Sequence, residues 1–452
     1  MNLTQFTTLV KEHLAKLGVE EQNFELYYRR SGEMSAESYR CEVDKFSQSA
    51  AGGISLRVLV NGKTGYASTQ LLSPETALWL CQTAVESAAV TENTDIDPIY
   101  HGDPVQDTLV QTAHSLQLSA DPDLLIDRLI KGEQLCSEAD SRISSISDSA
   151  AAAEVSVRAI INATTARADK TDIAMCYYSP VCKTERDVYN EYHMEFAPDL
   201  ATLDFDTCAK KSVQNTLAYI GAAPVPSGSY TVALAPKVAR SLLSCFAGVF
   251  SGLSAMKGLS LLKDKVGQKI AADCVTITDA PTHKDSLMSR SFDDAGVSTY
   301  EKNIVQNGTL MTLLHNLKTA AVFGTGTTGN AYRASYTSPL AVAPQNLYVA
   351  PGESTPDTMF AMEETVLQIC ETKGLHAGAN PVTGDFSLEC KGFLYRGGKP
   401  VQPVSGITVA GNFYTLLQNV AAVGSDLQFG SPGACCVGSP TLLIKDLSVA
   451  GK

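Results

Sequence analysis

Histidine and cysteine are the side chains with which this chain could most readily bind a metal or attack a substrate. The sequence has seven histidines, and none of them is followed by glutamate. The HExxH and HExxxH patterns, which place two imidazoles and a carboxylate on one helical face to bind a metal and activate water, are therefore absent. The GxSxG turn that presents a catalytic serine is absent as well.

Two adjacent cysteines, Cys435 and Cys436, lie in a glycine-rich run near the C-terminus. Cysteines in loops are more often reactive than cysteines in a core. A Cys–His mechanism would pair one of them with His376 or His315, the nearest histidines in predicted loops of the same half. The alternative is an inert thiol that packs under a turn.

Two further patterns have a chemical and a plain interpretation. Glu191, His193 and Glu195 alternate along a predicted strand, so they share one face and could converge on a metal. A solvent-exposed sheet face shows the same polar alternation. The run from Gly324 to Gly329 matches GxGxxG, but neither a helix signal nor a placed carboxylate follows it. A flexible loop is therefore favoured over a dinucleotide site.

Composition limits the possible partners. The chain has 452 residues, of which 44% are hydrophobic, and its formal net charge is -13. An acidic surface disfavours nucleic acids and anionic membranes. No apolar run is long enough to span a membrane, and the N-terminus lacks the pattern of a signal peptide. The twelve cysteines form no CxxC pair, and most lie in apolar runs. These features predict a cytoplasmic protein with reduced thiols.

The order of predicted elements favours an α+β fold over a doubly wound sheet. Helices are predicted at about 3–17, 73–91, 122–140, 206–220, 239–258, 356–370 and 411–421, and strands at 24–69, 154–162, 172–196 and 229–235. Asn61-Gly62 predicts a tight hairpin turn inside the first strand-rich stretch. A Pro/Gly-rich linker at 222–228 predicts two domains, an N-terminal α/β domain at 1–222 and a β-rich C-terminal domain at 229–452.

An ordered set of short motifs covers nearly the whole chain. It includes Gly52-Gly53-Ile54, Val266-Gly267-Gln268-Lys269, Gly384-Asp385-Phe386-Ser387, Ala410-Gly411-Asn412 and Val437-Gly438-Ser439-Pro440. Taken together, this set resembles the TldD/PmbA family, which has long been described as modulators of DNA gyrase and is understood as a peptidase family.

The resemblance gives the missing metal motif a position. Members of the TldD type carry HExxxH on the helix that precedes the Val-Gly-Gln-Lys stretch, with a C-terminal loop cysteine as a further ligand. The corresponding stretch here, from Leu242 to Gly252, contains neither histidine nor glutamate. Cys435 or Cys436 lies about where the loop ligand would be, but one thiolate does not hold zinc without partners. Cys435, Cys436, His376 and Asp385 remain candidate cleft residues, with no catalytic or metal role assigned.

These features resemble the PmbA/TldE type, which implies a non-catalytic subunit of a TldD-type metallopeptidase complex in proteolysis or peptide maturation. The implied partner is a TldD-like subunit that carries the zinc, or a second copy of this chain, and the implied substrate is a peptide or an unfolded protein. No cofactor is expected in this chain, and whether it is itself an enzyme stays open. The alternatives are a self-sufficient cysteine hydrolase that uses Cys435 or Cys436, and a non-proteolytic scaffold homodimer.

Overall fold

The computed structural model of the chain describes residues 1–92, 97–102, 104–113 and 120–452. Helices account for 25% and strands for 40% of the chain, which confirms the α+β class. The chain divides into two compact units. Unit 1 comprises Met1–Leu217, Phe292–Ser298 and Ala331–Leu340, and unit 2 comprises Ala218–Ser291, Thr299–Asn330 and Ala341–Lys452. Within the described residues, no helix is long and apolar enough to cross a membrane.

Helices and strands occur in mixed order along the chain. The helices are α1 Leu3–Lys16, α2 Pro74–Val90, α3 Leu109–Thr112, α4 Pro122–Glu138, α5 Phe205–Ala218, α6 Pro236–Phe246, α7 Gly252–Met256, α8 Leu317–Phe323, α9 Pro356–Phe360, α10 Leu375–Gly378 and α11 Phe413–Gln418. The first eleven strands are β1 Phe24–Tyr39, β2 Glu42–Val60, β3 Lys63–Thr69, β4 Val105–Gln106, β5 Ile143–Ile161, β6 Thr165–Lys183, β7 Val188–Asn190, β8 His193–Ala197, β9 Gly228–Leu234, β10 Ile277–Asp279 and β11 Lys302–Gln306. The remaining strands are β12 Thr309–Leu310, β13 Ala331–Tyr332, β14 Ala341–Val342, β15 Asn346–Val349, β16 Thr365–Lys373, β17 Asp385–Arg396, β18 Lys399–Asn412, β19 Val420–Val423, β20 Gln428–Phe429, β21 Cys436–Ser439 and β22 Leu442–Ala450.

Side-chain caps begin several helices where the sequence predicts them. The Asn2 side chain accepts a hydrogen bond from the Gln5 backbone, and Ser73 caps α2 in the same way. Asp121 accepts from the backbone N–H groups of the first turn of α4, ahead of a proline at its first position. These caps confirm the helices predicted at 3–17, 73–91 and 122–140.

Unit 1 is built on a sheet in the order β3-β2-β1-β5-β6-β4, with β7 and β8 also paired to β6. Asn61 and Gly62 join β2 to β3 with φ of 52° and 75°, which is the left-handed pair that a tight hairpin needs. One sheet face and the helices α1 and α2 enclose an apolar core. In β3, Gly65 lies against α2 so closely that an added Cβ would be 2.0 Å from the Ala84 carbonyl oxygen.

Buried ion pairs connect the segments Phe292–Ser298 and Ala331–Leu340 to the rest of unit 1. Arg158 of β5 binds the carboxylate of Asp294, and its guanidinium lies 4.4 Å from the centre of the Phe292 ring. Arg333 donates to Glu25 of β1 over 2.8 Å. Both arginines are over nine-tenths buried, so these segments belong to unit 1 through side chains that sequence order does not bring together.

Unit 2 contains two six-stranded sheets around a large apolar core. One has the order β12-β11-β10-β15-β21-β20. The other has the order β18-β17-β16-β9-β22-β19, and β18 also pairs with β22, so that five of its strands close into a ring. Helix α6 packs against β16 and β21. The helix therefore touches both sheets.

Two predicted helices were wrong in extent. The helix predicted at 356–370 is only α9, Pro356–Phe360, and Thr365–Lys373 forms strand β16. Buried Val366, Leu367 and Ile369 lie in β16 beside β9, so burial within a sheet outweighs local helix propensity. The helix predicted at 239–258 is three pieces: α6 ends at Phe246, a 3₁₀ turn follows, and the Ser251 side chain caps α7.

Candidate functional site

Helix α6 occupies the position that the resemblance assigns to the metal motif. It begins at Pro236 and buries Leu242, Leu243 and Phe246 in the core of unit 2. The Phe246 ring stacks on Phe413 of α11 with centroids 4.6 Å apart. These side chains pack in the core, and as hydrocarbons they have no atom that could bind a metal ion.

Two cationic side chains on the more polar side of α6 bind to neighbouring elements. The Nζ atom of Lys237 lies 2.6 Å from a carboxylate oxygen of Glu371, and Arg240 donates to the Phe429 carbonyl oxygen over 2.9 Å. An added Cβ at Gly430 would be 3.0 Å from Nε of Arg240. Glycine at this position therefore lets the guanidinium approach the loop that carries the two cysteines.

Cys435 and Cys436 lie at the end of that loop, where β21 begins. The Cys436 backbone donates to the Gln345 carbonyl oxygen over 2.9 Å, and its Sγ donates to the Gly430 carbonyl oxygen over 3.4 Å. Burial raises the pKa of Cys435 to about 12, assisted by the negative charge of Asp279. Burial also raises the pKa of Cys436. Both thiols are therefore protonated at neutral pH and are poor nucleophiles.

Within the described residues, neither histidine considered as a base makes a hydrogen bond to Cys435 or Cys436. His315 is buried, with Nδ1 3.2 Å from the Thr319 hydroxyl and its ring against Phe323. An added Cβ at Gly252 would be 2.4 Å from the same Nδ1, so the ring fills the space that this glycine leaves. Burial lowers the pKa of His315. His376 lies in the short helix α10 and is exposed.

Asp385 has a structural partner. It is exposed at the start of β17 and pairs across the ladder with Asn412, whose Nδ2 donates to it over 2.8 Å. Hydrogen bonds from Asn412 and Thr383 lower its pKa. The Oδ1 atom of the same Asn412 accepts from the Tyr414 backbone at the start of α11. Asp385 therefore orients a helix cap, and this pairing accounts for the Gly-Asp-Phe and Ala-Gly-Asn motifs.

The strand motif with alternating charges does not form a metal site. His193 Nε2 lies 2.9 Å from Glu195, and Lys211 lies 2.7 Å from the same carboxylate oxygen. Hydrogen bonds from His193 and Lys211 lower the pKa of Glu195 although the group is partly buried. Glu191 lies outside β8. Across residues 1–92, 97–102, 104–113 and 120–452, no three His, Cys, Asp or Glu side chains are grouped to hold a metal ion.

The GxGxxG match is a loop, as predicted. Gly324 ends helix α8 with φ of 63°, so the glycines follow a helix and do not open one. Thr327 and Thr328 donate to the His315 carbonyl oxygen. These contacts give the turn a structural role.

A buried polar cluster beside Cys435 was not identified from the sequence. Asp279 of β10 is fully buried and lies 3.0 Å from Lys302 Nζ. It also accepts from Asn330 Nδ2 over 2.8 Å and from the backbone N–H groups of Gln345 and Asn346. Four donors thus surround one carboxylate, as a buried charge requires. The donors lie 23 to 67 residues from Asp279 in the sequence, so no local motif reveals the cluster.

Alkylation rates test the state of the cysteine loop. At neutral pH, we expect iodoacetamide to modify Cys435 much more slowly than a synthetic peptide that spans 428–440. A pKa of about 12 lowers the thiolate fraction on the order of a thousandfold relative to an ordinary cysteine. Timed labelling followed by mass spectrometry gives both rates. Equal rates in protein and peptide would contradict the buried, protonated thiol and would favour the cysteine-hydrolase alternative.

Comparison with known proteins agrees with this architecture. Two family models match, described as PmbA/TldA metallopeptidase domain 1 at residues 24–88 and PmbA/TldA metallopeptidase C-terminal domain at residues 227–451. The Escherichia coli O157:H7 protein named metalloprotease PmbA is 26% identical over 421 residues, which cover 91% of this chain and 88% of that protein.

Solved structures give the same result at the level of the fold. A Thermotoga maritima protein named as a candidate modulator of a DNA gyrase is 26% identical, with a TM-score of 0.86 over 99% of this chain and 100% of that one. TldE from Thermococcus kodakarensis is 21% identical and shows the same fold, with a TM-score of 0.85 over 98% of this chain and 100% of that one. Several relatives are named metalloproteases, so the family is one of proteolysis. This chain belongs to the TldD/PmbA family.

Proposed function

We propose that this chain is a non-catalytic, PmbA/TldE-like subunit that works with a TldD-like metallopeptidase subunit in proteolysis or peptide maturation. The observation that carries the proposal is helix α6. At the position where the resemblance places HExxxH, the chain has Leu242, Leu243 and Phe246 packed into a core. The zinc and the water that attacks the peptide bond would therefore belong to the partner.

The cysteine loop supports this division of roles. A TldD-like site would need the loop thiolate together with two histidines. Cys435 and Cys436 are instead protonated thiols, and Arg240 holds the loop through the Phe429 carbonyl oxygen. A fixed cation beside the loop disfavours a second cation there. The loop occupies the position that the resemblance gives it, but the surroundings of Cys435 and Cys436 do not make either thiol a metal ligand.

A reconstitution experiment tests the proposal. The chain is purified alone, the TldD-like subunit alone, and the two together, and zinc content and cleavage of an unfolded protein are measured for each. We expect the isolated chain to contain far less than one zinc per molecule and to cleave nothing. We expect the mixture to cleave faster than the TldD-like subunit alone, and a chelator to stop this cleavage.

Variants of this chain separate the proposal from the cysteine hydrolase. The double variant Cys435→Ser/Cys436→Ser should support cleavage in the mixture as well as the natural chain does. Stoichiometric zinc with cleavage by the isolated chain would overturn the proposal. So would a TldD-like subunit whose activity is unchanged by this chain and that never co-elutes with it.

A further inference from the structure

One loop of unit 2 exposes apolar and cationic side chains together. Residues 257–269 lie between helix α7 and strand β10, and we name them the basic loop. Leu259, Leu261 and Val266 in this loop are 47%, 59% and 52% exposed. The loop also contains four lysines and one aspartate, a formal charge of +3 in a chain whose net charge is -13. Exposed apolar residues that are clustered and rimmed by charge, unlike single ones, mark an interaction surface.

The first half of the basic loop is fixed to the core of unit 2. The Ser260 hydroxyl donates to the Val249 carbonyl oxygen over 2.5 Å and accepts from the Leu262 backbone over 3.1 Å. Leu262 is buried in the apolar core of the unit. Buried Ser260 and Leu262 thus alternate with exposed Leu259 and Leu261. The contacts that hold the loop therefore turn both exposed leucines toward solvent.

The second half of the basic loop is fixed to strand β12. The Gly267 backbone donates to the Leu310 carbonyl oxygen over 2.8 Å, and the Leu310 backbone donates to the Gln268 carbonyl oxygen over 3.0 Å. Val266 precedes this pairing and Met311 follows it, and Met311 is also exposed. Four apolar side chains are therefore presented on a backbone that is already ordered. A ligand that binds here does not have to order the loop first, which favours affinity.

Three of the four lysines keep their charge available. Lys269 pairs with Asp273, with 2.6 Å between Nζ and the carboxylate oxygen. Among the residues that the structure describes, no carboxylate lies within ion-pair distance of Lys257, Lys263 or Lys265. All three are exposed. Ammonium groups without a partner attract an incoming carboxylate, and a group of them steers an anionic ligand to the surface.

We propose that the basic loop binds acidic segments of unfolded polypeptide in which apolar side chains lie near the carboxylates. The lysines select negative charge, and the four apolar side chains select a ligand that exposes apolar groups of its own. A folded acidic protein keeps most of its large apolar side chains in its core, whereas an unfolded segment exposes them. Nucleic acids would match the charge of the loop but not its apolar side chains.

This inference names a substrate class for the proposed function. It rests on that function in one respect, namely that the partner subunit cleaves what this chain binds. Binding itself is a property of unit 2 of the isolated chain. It can therefore be measured without the partner.

The first test measures binding by the isolated chain. The probe is a fluorescein-labelled, unstructured peptide of glutamate, leucine and glycine, and its fluorescence anisotropy is followed as the chain is added. One control peptide has lysine in place of glutamate, and another has serine in place of leucine. We expect the first peptide to bind roughly tenfold more tightly than either control. Added salt should weaken this binding, because it screens the exposed lysines.

The second test assigns the binding to the loop. The variant Lys265→Ser/Val266→Ser removes one cation and one apolar side chain of the basic loop, and we expect a dissociation constant for the acidic peptide that is roughly fivefold higher or more. The matched control is Lys399→Ser/Val401→Ser on β18, since Lys399 and Val401 are exposed on the same unit, and it should bind like the natural chain. Circular dichroism and chemical denaturation of both variants check that the fold is kept.

Three results would overturn the inference. These are equal affinity for the acidic and the lysine peptide, a Lys265→Ser/Val266→Ser variant that binds like the natural chain, and duplex DNA that displaces the peptide at lower concentration than the unlabelled peptide does. Selective binding that the variant weakens, in a chain that never activates a TldD-like subunit, would support this inference and refute the proposed function. Activation of that subunit without selective binding would do the reverse.

Discussion

Replacing Glu25 by glutamine is expected to lower the free energy of unfolding of unit 1 by about 3–5 kcal/mol. Glu25 is fully buried and lies 2.8 Å from both Arg57 and Arg333. Burial alone would raise the pKa of this carboxyl, but the two guanidinium groups outweigh it and lower the pKa. Glutamine keeps the size of the side chain and removes the charge, so two buried cations lose their shared counter-ion.

The single tryptophan makes the measurement specific. Trp79 lies in α2 of unit 1, so its fluorescence during chemical denaturation follows that unit. The matched control is Glu37→Gln, which removes a carboxylate whose partner Lys45 is 67% exposed. We expect that change to cost far less, because solvent screens an exposed ion pair. Equal losses in the two variants would show that the buried triad adds no more than a surface pair.

A second substitution separates charge from packing. Arg57 keeps its ion pair with Asp97 in the Glu25→Gln variant. Arg333→Met in the Glu25→Gln background removes the other arginine that paired with Glu25 and keeps an apolar chain of similar length. Replacing buried charges by apolar groups is often neutral or stabilising. We therefore expect the double variant to be more stable than Glu25→Gln alone. Additive losses would instead assign the effect to the contacts of Arg333 with the Tyr27 and Tyr66 rings.

Local signals in the sequence were sufficient for the helices that begin with a cap. Asn2, Ser73 and Asp121 each satisfy backbone N–H groups of a first turn, a short-range interaction that residue types reveal. Strand β16 was mistaken for a helix because its burial depends on β9, which lies over 130 residues earlier in the chain. Pairing at that distance leaves no local pattern.

The candidate site shows the same limit. The absence of HExxxH could be seen in the sequence because all residues of this motif lie within one short stretch, which the resemblance places at Leu242 to Gly252. The surroundings of Cys435 could not be predicted from the sequence, because Asp279 and Arg290 approach this thiol only in the folded chain. Asp385 shared a motif with its neighbours for a structural reason, the cap that Asn412 makes on α11. A sequence motif therefore marks residues without showing whether they bind, react or pack.

Asp293 gives the second large effect, a stability of unit 1 that decreases as the pH rises. Its carboxylate is fully buried and accepts backbone hydrogen bonds from Ala295, Val297 and Ala331. Burial, with the negative charge of Asp294, nevertheless raises its pKa to about 7. In the unfolded chain an aspartate titrates near pH 4. Between about pH 4 and about pH 7, the folded state therefore binds one proton more at Asp293 than the unfolded state does.

The sign of the pH dependence follows from that proton. The contribution of Asp293 is fully present below about pH 4 and is lost as the pH rises to about 7, at about 1.4 kcal/mol per pH unit. We therefore compare the natural chain with Asp293→Asn, using Trp79 fluorescence during denaturation at several pH values. The difference in unfolding free energy, natural chain minus variant, should fall by about 2–3 kcal/mol between about pH 5 and about pH 8.

Groups that titrate identically in the natural chain and in Asp293→Asn cancel in this difference in unfolding free energy. A pH-independent cost of the asparagine shifts the difference by a constant and does not change how it varies with pH. Asp44→Asn is the matched control, since it makes the same change of side chain at a carboxylate that is 53% exposed on the same unit. A difference for Asp293→Asn that rises with pH would contradict the prediction. It would mean that the three N–H donors hold the carboxylate ionised against the cost of its burial.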